Sequence, residues 1–311
     1  MLHQSNSHQR IGGTAICVVL LLFVASNALA NPGLEVVETC QRIGSKLGSV
    51  SLKECLAREL SGSGHYSVNN TPLLIKEYPP LEGRTPKARI LVLGGIHGDE
   101  YSSVSIVFKW MKILDAHHSG LFHWQVAPLI NPDGLLQRKS KRVNANGVDL
   151  NRNFPNGISK QASIDYWIKR TRRNPRRYPG SEPMSEPETR WVKQLMDDFQ
   201  PDVIVAVHAP YGIVDFDGPP EPPTHLGPLH LRLLGTYPGS LGNYAGVQQS
   251  VPVITVELPY AGIMPSRAAI VRIWVDLVRW LKNNVPRTSP LKTADAEASM
   301  AAIDPAPRPP E

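Results

Sequence analysis

The 311-residue sequence predicts an α/β fold: a mixed, mostly parallel twisted sheet covered by helices on both faces, with a small helical appendage before it. Three observations predict it. Ala88 to Leu93, Val203 to Val207 and Val251 to Val256 are short, nearly continuous apolar runs, which suits strands buried on both faces. Ser103 to Met111, Glu186 to Phe199 and Ser266 to Asn284 carry apolar residues at helical spacing. Strand and helix alternate along the chain, the order of a single α/β domain.

The elements follow in order. Residues 1–30 have the pattern of a secretory signal: Arg10, the apolar run Ile16 to Val24, and the small-residue cleavage site Ala28-Leu29-Ala30. The run is short for a membrane span, so cleavage is expected rather than a retained anchor. Cys17 would leave with it. Cys40 and Cys55 remain, an even pair expected to form a disulfide in an oxidising compartment. They lie in a prelude, residues 31–72, with helices expected over Leu34 to Ile43 and Leu52 to Ala57 and a terminating Ser61-Gly62-Ser63-Gly64.

The main domain is expected over residues 73–285, with Leu73 to Tyr78 as its first edge strand. Trp124 to Ile130 is a strand that runs into the turn Asn131-Pro132-Asp133-Gly134. Leu135 to Asn156 has neither period, and long irregular loops in compact domains usually carry function. Lys169 to Arg177 holds six cations and no acid, a loop suited to anionic ligands or to plain solvation. Leu226 to Leu234 is expected to be a short helix, and Tyr237 to Tyr244 a turn-rich segment. Residues 286–311, rich in proline and alanine, are expected to form a disordered tail.

The chemistry gathers at strand ends. His97 and Glu100 follow the strand ending at Leu93; His208 and Glu257 end two later strands. Strand ends are where open α/β sheets bind ligands. Two histidines and a glutamate can hold zinc and leave a fourth position for water, which is a catalytic rather than a structural arrangement. Glu257 is then the candidate base. Arg142 and Arg152 offer guanidinium groups for a carboxylate or an oxyanion. Asp149 is a candidate for orienting a ligating histidine. Asp99 is assigned to a helix cap or turn rather than to catalysis. The formal net charge of +6 fits an anionic substrate or surface and does not indicate nucleic-acid binding.

His97-Gly98-Asp99-Glu100, Asn131-Pro132-Asp133-Gly134, Asp149-Leu150-Asn151-Arg152-Asn153-Phe154-Pro155, His208 and Thr255-Val256-Glu257-Leu258-Pro259 together resemble the zinc carboxypeptidase superfamily. Asn144-Ala145-Asn146-Gly147, Pro179-Gly180-Ser181-Glu182-Pro183 and Pro238-Gly239-Ser240 are most similar to its murein peptide amidase members. The resemblance implies one zinc ion on His97, Glu100 and His208. It implies Glu257 as general base and acid, Arg142 polarising the scissile carbonyl, and Asn151 with Arg152 holding the substrate's terminal carboxylate. It also implies a peptidoglycan-derived peptide as substrate, cut at the γ-D-glutamyl–diaminopimelate bond. The family's substrate-covering tyrosine has no aligned counterpart; Tyr237 is near but offset. With the signal, the enzyme is expected to be exported, periplasmic or secreted, without stable membrane insertion. A general metallocarboxypeptidase, an aspartoacylase-type deacylase, or a non-catalytic wall-binding module are the other readings of the same motifs.

Overall fold

The computed structural model describes residues 33–286 together with Met1. The expected signal and the chain from residue 287 onward lie outside the described residues. No helix among the described residues is long and apolar enough to cross a membrane.

Two helices open the described chain. α1 (Leu34–Lys46) buries Val36, Thr39, Cys40 and Ile43 on one side. α2 (Leu52–Leu56) starts in a capping box, Ser51 accepting from Glu54 N while the Glu54 carboxylate accepts from Ser51 N. A Cys40–Cys55 disulfide joins them.

One nine-stranded sheet follows, in the order β1-β2-β4-β3-β5-β9-β6-β8-β7. Its centre is parallel: β4 (Phe122–Ala127), β3 (Ala88–Leu93), β5 (Val203–His208) and β9 (Val253–Glu257). β2 (Pro72–Tyr78) pairs antiparallel with β4, and β6 (Ile213–Asp217) antiparallel with β9. β1 (Ser61–Tyr66) flanks β2, while β7 (His225–Leu226) and β8 (Leu229–Leu231) form a small ribbon beyond β6.

The pleat of β3 explains the two cores. Ile90 and Val92 face a cluster built with α1, α3 (Tyr101–His117) and α7 (Arg267–Asn284), while Leu91 and Leu93 face Trp191, Val192, Met196 and Phe199 of α6 (Pro187–Phe199). Alternate side chains of a strand point to opposite faces, so continuous apolar runs are what a doubly covered sheet requires. On the first face Trp124 stacks on Trp274 at 5.3 Å, and Trp110 meets Trp274 at 5.6 Å. Such pairs add to the area they bury.

Several elements differ from the sequence reading. Ser61-Gly62-Ser63-Gly64 does not terminate the prelude; it is the start of β1, so Leu73 to Tyr78 is not the edge. An edge strand exposed on both faces needs no apolar alternation. Asn131 is an N-cap that accepts from Gly134 N at 2.8 Å and starts α4 (Pro132–Leu136). Leu226 to Leu234 holds β7 and β8, not a helix. α5 (Lys160–Lys169) lacks an apolar stripe and buries only Ser163. Gly242–Gln248 forms a π-helix that begins at the end of the stretch read as turns and runs past it.

Candidate active site

β3, β5 and β9 run side by side and end on the same edge, so the residues just past their ends converge. In the β5–β9 register His208 stands opposite Glu257. His97 and Glu100 lie on the turn between β3 and α3, and Glu100 is the residue before the helix. That turn is locked by backbone contact: a Cβ on Gly98 would sit 2.2 Å from the Gly134 carbonyl carbon, and only glycine allows this approach. Gly98 N also donates to Arg142 O at 3.3 Å.

The buried side chains of His97, Glu100 and His208 present one donor atom each within 4.8 Å of the others. His97 Nδ1 lies 2.8 Å from Glu100 Oε1, His208 Nδ1 3.2 Å from Glu100 Oε2, and the two Nδ1 atoms 3.1 Å apart. Tetrahedral zinc at its usual bond lengths sets its ligand atoms about 3.3 Å apart. The three separations fit that spacing, and the donor chemistry fits zinc.

The rest of the cluster fixes these donors. His97 Nε2 faces Asp149 Oδ1 at 3.1 Å, so a proton on Nε2 leaves Nδ1 with its lone pair toward Glu100. Asp149 Oδ2 accepts from Arg142 Nε at 3.0 Å. Burial alone would push the Asp149 carboxyl up; Arg142 and His97 overcome it and hold Asp149 well below the usual carboxylate range. Ala209 N donates to Glu100 Oε2 at 3.1 Å. Arg142 Nη1 reaches Glu100 Oε1 at 3.4 Å, and Nη2 has no protein acceptor among the described residues.

Glu257 is 6% exposed, and its Oε2 receives only a long contact from Tyr211 N at 3.5 Å. Burial raises its pKa; His208 opposes the shift and the charge on Glu100 adds to it. A carboxyl poised above its ordinary range is suited to take and return a proton near neutrality.

Asn151 and Arg152 follow on a 3-10 turn that Asp149 caps through Asn151 N. The Asn151 Oδ1 atom accepts from Leu241 N at 2.8 Å, which leaves its amide NH2 unpaired among the described residues. Arg152 is 6% exposed, and its Nε is buried without a partner. Its guanidinium lies 4.5 Å from the Tyr237 ring centroid. Burial pushes its pKa down, although arginine stays charged. A buried cation with a spare donor beside an unpaired amide has the chemistry to accept a carboxylate.

All seven predicted site residues line one cavity of about 360 Å³. Sequence reading gave Tyr237 no firm place; the structure puts it in this cavity against Arg152. Asp99 is not a cap. It pairs with Arg176 at 2.8 Å on the cavity rim, which brings the basic loop to the site. Asp215 and Asp217 also line the cavity and were not anticipated. Their strand carries acids in its alternation and gives no metal-ligand spacing.

The zinc carboxypeptidase family profile matches residues 62–213. Murein peptide amidase A of Escherichia coli strain K12 is 32% identical over 212 residues, covering 64% of this chain and 83% of that protein. Murein peptide amidase A of Vibrio campbellii is 31% identical over 200 residues, covering 62% and 77%. Carboxypeptidase A from Helicoverpa armigera superposes with a TM-score of 0.53 at 16% identity, over 72% of this chain and 69% of that one, a likeness of fold.

Proposed function

The chain belongs to the zinc carboxypeptidase family, and from that premise we propose that it hydrolyses the γ-D-glutamyl–diaminopimelate amide bond of peptidoglycan stem peptides. It is a zinc metallopeptidase. The observation that carries the reading is one cavity in which a His-Glu-His donor set, a pKa-raised carboxyl and unpaired carboxylate-binding donors face one another. The similarity to murein peptide amidases selects the substrate class. The Cys40–Cys55 bond and the N-terminal signal pattern support an exported, periplasmic or secreted enzyme.

His97, Glu100 and His208 would hold the zinc. When bound, zinc supplies Lewis acidity and lowers the pKa of a water toward ~7. The protein's own residues do the rest. Arg152 and Asn151 take the terminal carboxylate and so fix which amide bond reaches Glu257. Glu257 accepts a proton from the attacking water at a carboxylate oxygen and delivers it to the leaving nitrogen. Arg142, held along one edge by Asp149 and Glu100, keeps Nη2 for the carbonyl oxygen as negative charge develops there.

The test uses zinc-loaded protein and L-Ala-γ-D-Glu-diaminopimelate, with release of diaminopimelate followed by mass spectrometry. A peptide with an ordinary C-terminal residue and an N-acyl amino acid are the controls. Turnover of the tripeptide is expected, and turnover of the controls alone would sink the proposal. Glu257→Gln should keep its zinc and lose about 10²- to 10⁴-fold in rate.

A further inference from the structure

The basic loop between α5 and α6 forms a wall of the active-site cavity, and zinc binding and hydrolysis leave it without a task. Its residues Asn174, Arg176 and Arg177 line the cavity. Their backbone is fixed before any ligand arrives. Two successive left-handed residues, Arg172 at φ 52° and Arg173 at φ 57°, fold the chain back beyond α5. Residues with side chains hold this conformation only where their surroundings enforce it. Here Arg173 N donates to Trp167 O at 3.0 Å, Trp167 Nε1 to Asn174 O at 2.8 Å, and Arg176 N to Asn174 Oδ1 at 3.0 Å. Tyr178 O accepts from Asp149 N at 2.8 Å, which ties the end of the loop to the residue that orients His97.

The cations on this wall lack anions. Arg176 Nη1 pairs with Asp99 Oδ2 at 2.8 Å, and its remaining side-chain donors meet no protein acceptor among the described residues. Arg177 is half-buried, with neither an ion pair nor a side-chain hydrogen bond among the described residues. Burial lowers the Arg152 pKa, and against Asp149 the charges of Arg142 and Arg177 lower it further, so these arginines share one enclosed space. Like charges gathered there repel one another until an anion joins them. Arg176 also repeats the arrangement of Arg142: an acid holds one edge of a guanidinium and leaves the rest of its donors spare.

The position of Arg176 identifies the anion. Arg152 and Asn151 account for the terminal carboxylate of the released residue. Asp99, the partner of Arg176, stands between His97 and Glu100, so this second cation sits over the metal turn rather than beside Asn151. An ordinary α-linked peptide has no carboxylate to offer on the carbonyl side of the cut. A γ-glutamyl amide does: its free α-carboxylate lies four bonds from the scissile carbon, about 5 Å when extended. We propose that Arg176 and Arg177 are specificity-determining residues that bind the free α-carboxylate of the γ-glutamyl residue on the carbonyl side of the scissile bond. The subsite rests on the amide-hydrolase reading and deepens it. The enzyme reads a γ linkage by one anion on each side of the cut, and it discriminates against stems in which that glutamate is amidated to isoglutamine.

The test compares zinc-loaded wild type with the double variant Arg176→Gln and Arg177→Gln on two substrates, L-Ala-γ-D-Glu-diaminopimelate and its α-carboxamide, L-Ala-D-isoglutaminyl-diaminopimelate. A second double variant, Arg172→Gln and Arg173→Gln, removes two charges of the same loop that do not line the cavity. Thermal melts verify that both variants are folded. Calorimetry of the dipeptides L-Ala-D-Glu and L-Ala-D-isoglutamine runs in parallel. Wild type should favour the carboxylate substrate by at least about tenfold in kcat/KM, chiefly through KM. The Arg176/Arg177 variant should lose most of that ratio, and the Arg172/Arg173 variant should keep it. Equal kcat/KM for the two substrates in the wild type would overturn the subsite while leaving amide hydrolysis standing. A ratio undiminished in the Arg176/Arg177 variant, or equally diminished in both variants, would overturn it too. If neither tripeptide turns over, calorimetry decides. Tighter binding of L-Ala-D-Glu that only the Arg176/Arg177 change abolishes keeps the subsite and sinks the hydrolase reading; equal binding of the two dipeptides overturns both.

Discussion

Glu188→Gln should change sign with pH. Glu188 stands in the first turn of α6, fully buried, and accepts from Asn144 Nδ2 at 3.1 Å and from Val68 N at 3.3 Å. Burial raises its carboxyl from 4.5 to about 7; its hydrogen bonds oppose the shift, and the charge of Asp133 adds to it. The folded pKa thus lies above the unfolded one. Between the two values the native state binds more protons, so stability falls as pH rises from 4.5 toward 7 and is flat above. The full penalty is about 3 kcal/mol. Glutamine abolishes the titration but turns an NH2 group toward one of the two donors, at a cost of about 1–2 kcal/mol. The variant should therefore be less stable than wild type near pH 5 and more stable at pH 8. The swing of about 2–3 kcal/mol corresponds to about 5–10 °C in Tm for a domain of this size. Urea unfolding of both proteins at the two pH values, with the disulfide intact and zinc at equal excess, measures it. A difference that is the same at both pH values within about 0.5 kcal/mol means Glu188 is ionised throughout and refutes the burial argument.

Asp149→Asn removes the charge shared by His97 and Arg142; zinc affinity, followed by competition with a chromophoric chelator, should fall about 10- to 100-fold. Tyr237→Leu strips the ring from Arg152, and KM for the tripeptide should rise about 2- to 30-fold with little change in kcat. Chelation should abolish turnover and lower Tm, since zinc at 1,000 times its Kd contributes about 4 kcal/mol, and zinc but not magnesium should restore both. The double change Cys40→Ser and Cys55→Ser opens a loop of sequence separation 15, which should cost about 3 kcal/mol in urea unfolding and leave kcat/KM of the remaining folded fraction intact.

The central sheet and the donor set were legible because burial and chemistry leave the same mark. An apolar run that stops at His208 or Glu257 announces both a doubly covered strand and a polar group at its end. The periphery left no such mark. β1 is serine and glycine at an exposed edge, and α5 packs too little to need an apolar face. In the segment Leu226 to Leu234, spacing alone does not separate a helical turn from a two-strand ribbon. Asp99 followed the expectation for a turn acid until the fold brought Arg176 to it. Asp215 and Asp217 were missed because their place depends on the neighbouring strand: only the pairing with β9 brings them to the cavity. Arg152 stood out by its motif, but its buried, unpaired Nε is visible only in three dimensions.

The Gly98–Gly134 contact makes two distant motifs hereditary partners. His97 to Glu100 and Asn131 to Gly134 meet backbone to backbone, with no side chain between them to absorb a mismatch. In a gene-shuffling library, crossovers between residues 100 and 131 would yield functional progeny only where both parents keep glycine at 98 and 134. The two motifs should therefore be exchanged as a single block, and a graft of the metal-binding turn into another scaffold must take the Asn131 loop along with it.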